Sequence, residues 1–67
     1  MLEIFTTEAC PMCKMLKDKL ITKGIAFKEN HDLDGIIKLG FETVPVLKTE
    51  DGEYLDFGKA NVFVNSL

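Results

Sequence analysis

Cys10-Pro11-Met12-Cys13-Lys14-Met15-Leu16-Lys17-Asp18-Lys19-Leu20 places a pair of cysteines at the head of an amphipathic segment. Met12, Met15, Leu16 and Leu20 recur at helical spacing, with Lys14, Lys17, Asp18 and Lys23 on the other side, and this predicts a helix over 11–23. Pro11 suits the first helical position, where the N–H it lacks would have no intrahelical partner. Cys10 then falls at the N-cap, and Gly24 is placed to stop the helix as a left-handed C-cap. Met15 is expected in the core and Met12 partly exposed beside the sulfurs.

The spacing of the pair limits what it can do. A bridge between Cys10 and Cys13 closes a loop too short to remove much unfolded-state entropy, so it makes a poor structural staple. A structural zinc commonly needs four thiolate or imidazole ligands, and the chain offers two cysteines and His31. His31 is expected as a solvent-facing turn residue. Redox chemistry fits better. Thiol–disulfide exchange needs an attacking thiolate and a second thiol close by to resolve the mixed disulfide. A helix N-terminus stabilises the first sulfur as a thiolate, and a residue one turn on lies on the same face. Cys10 is the expected nucleophile and Cys13 the resolver. Two other uses of these features are a metal or iron–sulfur cluster on the thiolates in a dimer, and a redox-silent domain that binds an added peptide strand near Val44.

Outward from the pair, 2–6 reads as a strand, Thr7-Glu8-Ala9 as the loop leading to the cysteines, and 25–30 as a second strand parallel to the first. Glu8 reads as a charge near the thiolate rather than a base. Asp32 or Asp34 caps a short second helix in which Leu33, Ile36 and Ile37 share a face, closed by Gly40. Strands at 46–49 and 54–57 flank Glu50-Asp51-Gly52, whose Asp-Gly is a hairpin signal, and 61–67 forms one or two helical turns. Phe5, Phe27 and Val46 are expected as strand core and Tyr54 as a strand surface residue, while Phe41 and Phe57 fit either the core or the flanks of the cysteines. In Thr43-Val44-Pro45-Val46 a proline opens a strand, where it marks an edge, a turn or a cis bond. A cis Val44–Pro45 bond would turn the backbone of Val44 outward to pair with an extended partner.

Composition narrows the class further. The 67 residues are 46% hydrophobic and 28% charged, with net charge −3, which suits one small globular domain and excludes a disordered tail. Eight lysines and no arginine among eleven acidic residues leave no basic stripe for nucleic acid. No apolar run reaches the 18 or so residues that span a bilayer. Met1-Leu2-Glu3-Ile4-Phe5 has neither a basic n-region nor a long apolar one, so no signal peptide is expected and the chain is expected in the cytoplasm.

Strand, Cys-Pro-Met-Cys helix, strand, short helix, Thr43-Val44-Pro45, hairpin and last helix together resemble the glutaredoxin family, from Leu2 to about Asn61. The short length is also similar to that of the redoxins that reduce ribonucleotide reductase. The resemblance implies an α/β thioredoxin fold: a small four-stranded mixed sheet in the order β-α-β-α-β-β-α with flanking helices. It implies a dithiol–disulfide oxidoreductase in which Cys10 attacks, Cys13 resolves, and Pro45 is a cis-proline beside the sulfurs. Val44 would offer backbone hydrogen bonds, within a substrate surface of Pro11, Met12, Thr43, Val44, Pro45 and Gly58. The implied partners are protein disulfides, ribonucleotide reductase among them, with glutathione or a thioredoxin-reductase-type flavoprotein as electron donor. No bound metal or other cofactor is called for, and a monomer is expected. Three positions depart from the glutathione-using members: Thr7 stands where they carry a basic residue, Met12 where they carry Tyr or Phe, and Gly58 alone matches their Gly-Gly pair. Lys14 or Lys59 would have to replace a missing anchor for a glutathione carboxylate.

Overall fold

In the first strand, β1 (Leu2–Phe5), Leu2, Ile4 and Phe5 are all buried, as expected of a strand covered on both sides. The computed structural model describes residues 1–7 and 10–67. Glu8 and Ala9 of the expected loop lie outside the described residues. β1 pairs in parallel with β2 (Phe27–Asn30), and antiparallel with β3 (Val46–Lys48), which pairs antiparallel with β4 (Tyr54–Leu55). The sheet order is β2-β1-β3-β4, and with helices α1 (Pro11–Thr22), α2 (Leu33–Ile37) and α3 (Phe57–Asn65) the chain runs β1-α1-β2-α2-β3-β4-α3. This is the expected mixed α/β sheet of the thioredoxin fold. A parallel pair needs a crossover, and α1 supplies it.

Successive side chains of a strand point to opposite faces, and the two central strands divide accordingly. Leu2 and Ile4 of β1 and Leu47 of β3 meet Leu16 and Leu20 of α1 and Ala60 and Val64 of α3. Phe5 and Val46 face the other way, onto Ile36 of α2, with Leu33, Phe41, Val44 and Tyr54 around them. Lys19 Nζ donates to Asn61 Oδ1, joining α1 to α3 along a half-buried seam.

Both long helices start on side-chain caps. Cys10, in extended conformation (φ −121°, ψ 104°), caps α1 with its sulfur, and Pro11 follows it. Cys13, Leu16 and Leu20 form the buried stripe of α1. Gly24 takes φ +70° and ends the helix as expected: its N–H donates to Ile21 O at 3.0 Å, and that of Ile25 to Leu20 O at 2.9 Å. This pair of bonds is the Schellman arrangement. Asp56 Oδ1 accepts the Lys59 N–H at 2.9 Å and starts α3.

That cap corrects two expectations. The last strand stops at Leu55, so Phe57 belongs to a helix, and α3 begins four residues ahead of Asn61 because Asp56 satisfies its first turn. Two burial expectations also change, for Met15 and Tyr54, and the shared face of α2 is unevenly buried. Met15 is 51% exposed, since it sits about 100° round the helix from Leu16. Ile37 is 59% exposed while the neighbouring Ile36 takes the inward position. Tyr54 is half-buried rather than a surface residue, its ring 6.0 Å from that of Phe5 and 6.4 Å from that of Phe41. Phe5 and Val46 are buried as expected, and Phe27 is partly buried against the α1 side.

Candidate active site at the head of the first helix

The first four N–H groups of a helix have no partner inside it. In α1 one of them, that of Cys13, donates to Cys10 Sγ at 3.1 Å. The cap geometry thus aims a backbone donor at the sulfur expected to carry negative charge when reduced. The two cysteines are joined as a disulfide, with Cα atoms 5.2 Å apart. Their environments differ: Cys13 is fully buried, while Cys10 is part-exposed.

The Val44 carbonyl oxygen lies 3.8 Å from Cys10 Sγ. A disulfide sulfur has no hydrogen to give, so in the bonded state this is a contact, while a reduced thiol at that position has a proton to donate. Val44–Pro45 is a cis bond, with Pro45 fully buried and Val44 half-buried. Among the described residues, neither the N–H nor the C=O of Val44 enters a backbone hydrogen bond. Chain segments more than thirty residues apart in sequence are thus brought into contact at the sulfur.

A groove of about 390 Å³ opens at this junction. Thr7, Cys10, Pro11 and Met12 line it from the β1–α1 side, and Thr43 and Val44 from the loop before β3. Five of the expected surface residues other than Gly58 were Pro11, Met12, Thr43, Val44 and Pro45; four line the groove, while Pro45 sits buried behind Val44. Met12 is 45% exposed, in keeping with expectation. Gly58 is exposed in the first turn of α3 and does not line the groove, nor do Lys14 and Lys59. His31 is exposed.

The groove also holds residues that the sequence reading did not assign to it. Leu33, Ile36 and Ile37 from α2 form one wall, and Phe41 and Glu42 continue it towards Thr43. Phe41, open between two roles on sequence grounds, is half-buried and fills both, packing on Tyr54 and facing the groove. The available signal for Glu42 was its place directly before Thr43-Val44-Pro45. A larger cavity of about 500 Å³, bordered by Leu2, Lys23, Ile25, Thr49, Phe63 and Leu67, has neither cysteine in its lining. Among the described residues, no helix is long and apolar enough to cross a membrane.

No curated protein matches the sequence. The glutaredoxin family does, over residues 2–55. That span runs from β1 through β4 and contains the cysteine pair and the cis-proline segment, but it stops short of α3 and therefore of Gly58 and Lys59. Covering well over half of the residues, the match establishes that this chain belongs to the glutaredoxin family.

Proposed function

We propose that the chain is a dithiol–disulfide oxidoreductase that reduces disulfides of polypeptides through Cys10 and Cys13. The observation that carries this reading is the placement of the pair: an accessible sulfur at a helix N-cap, bonded by the Cys13 N–H, with a buried second sulfur within bonding reach. In the reduced protein the helix N-terminus and that N–H favour the Cys10 thiolate over the thiol.

The electrons and atoms balance in two exchanges. The Cys10 thiolate attacks one sulfur of the substrate disulfide, forms a mixed disulfide and expels the other sulfur as a thiolate. Cys13 then gives up its proton and attacks Cys10 Sγ, closing the intramolecular disulfide and releasing the second substrate thiolate. Two electrons pass from the dithiol to the substrate, and both released thiolates take up protons. The substrate segment next to its disulfide lies along Val44 and uses the N–H and C=O of that residue. Thr43, Met12 and Pro11 border it, and Pro45 holds Val44 in place.

Glutathione and a flavoprotein disulfide reductase are the two candidate donors that restore the dithiol, and ribonucleotide reductase is a candidate client on family resemblance. The cytoplasm, where thiols are kept reduced, is the compartment that suits such a carrier. An NADPH-coupled assay on an insulin-type disulfide tests the reading. One arm is fed by glutathione with glutathione reductase, the other by thioredoxin reductase. Wild type is expected to turn over in at least one arm, Cys10→Ser in neither, and Cys13→Ser to accumulate a mixed disulfide. Silence of the wild type in both arms, or a rate equal to that of Cys10→Ser, would overturn it.

A further inference from the structure

Among the described residues lining the groove beside Cys10, one side chain carries charge: Glu42, which is exposed at its rim. The rest of the wall across from Cys10 is apolar, with Ile36, Ile37 and Phe41 facing the groove. Ile37 is 59% exposed, so an apolar group is held open to solvent beside the reactive sulfur. The lysines that would attract an anion, Lys14 and Lys59, are not in the lining, and the protein as a whole carries net charge −3.

From this we infer that Glu42 is a specificity residue. The groove selects disulfides in extended polypeptide segments that carry a cationic side chain near the reacting cysteine, and it disfavours glutathione disulfide. The inference rests on the oxidoreductase reading above and names its substrate class. Glutathione is net anionic at neutral pH, so its carboxylates meet Glu42 without a compensating cation in the groove. A peptide segment paired along Val44 presents its side chains to either side. An apolar one covers Ile37 and Phe41, and a lysine or arginine reaches Glu42. Charge at an exposed rim acts chiefly on encounter and is screened by salt, so the preference should be moderate and salt-dependent.

The test is a single turnover of the pre-reduced protein, freed of excess dithiol, on three oxidised substrates. Two are symmetric disulfides of peptides identical except for Lys or Glu two residues from a Leu-Cys pair, and the third is glutathione disulfide. Each rate is divided by that of free dithiothreitol on the same substrate, which removes differences in intrinsic reactivity. At low salt the Lys peptide is expected to exceed the Glu peptide and glutathione disulfide by roughly fivefold, a contrast that shrinks at high salt. Glu42→Gln should level the two peptides, and Glu42→Lys should invert their order. Equal normalised rates in wild type, or an order unchanged in Glu42→Lys, would overturn the inference while leaving the oxidoreductase reading intact. Failure of the folded wild type to reduce any of the three would remove both.

Discussion

The two faces of the sheet are finished to different degrees. On one, α1 and α3 close over Leu2, Ile4 and Leu47, and Leu16, Leu20, Ala60 and Val64 are fully sealed. On the other, the short α2 covers Phe5 and Val46 with Ile36, while Leu33, Phe41, Val44 and Tyr54 stay only partly buried. The difference is one of helix length: two helices of 12 and 9 residues against one of 5. The groove beside Cys10 lies on the lightly covered face. Among the described residues, seven buried residues lie on the first face against three on the second, and the second face is the one that gives access to Cys10.

Core truncations put that division of labour to its strongest test. Leu16→Ala, on the closed face, is expected to cost about 3–4 kcal/mol, the middle of the range for buried leucines. Ile36→Ala, on the thin face, should cost about 2 kcal/mol, because the short helix around it can settle into the gap. Urea unfolding of the two variants reads the contrast, and equal losses would mean that α2 is as firmly built in as α1. A smaller effect is expected from Asp56→Ala, which removes the N-cap of α3 and should lower stability by about 1 kcal/mol in the same measurement. A loss near zero would show that α3 is held by its packing and its contacts with α1 and not by its cap. The smallest stability effect belongs to Ile37→Ser, expected within about 0.5 kcal/mol of wild type because the side chain is mostly exposed. In the single-turnover assay that variant should nonetheless slow the reaction with the Leu-Cys peptides a few-fold. A change in stability without a change in rate would make Ile37 a structural residue.

The parts of this plan that depend on local chemistry were readable from the sequence. Pro11 and Cys10 marked the start of α1, Gly24 its end, and Asp51-Gly52 the hairpin, because caps and turns are specified by neighbouring residues. Asp56-Phe57-Gly58 was harder. An aromatic residue followed by glycine reads as a strand giving way to a loop, and only the Asp56–Lys59 bond reveals a helix start. Met15 and Ile37 show a second limit. Hydrophobicity says that a residue prefers burial, but the facing element decides which side of a helix is covered. At the site itself, Cys10, Cys13 and the Val44–Pro45 segment carried recognisable motifs. The α2 wall and Glu42 did not, because their closeness to the sulfur arises from the crossover and not from spacing along the chain.

The unequal burial of the two sulfurs also governs the order in which reactants come and go. With Cys13 sealed, an outside sulfur has a single door, Cys10, whether it arrives as an oxidised client or as a thiol bringing electrons. For the proposed oxidoreductase, client and donor would therefore take turns at the same atom, each leaving before the other enters. The expected outcome is ping-pong kinetics, with parallel double-reciprocal lines and inhibition by an excess of either reactant.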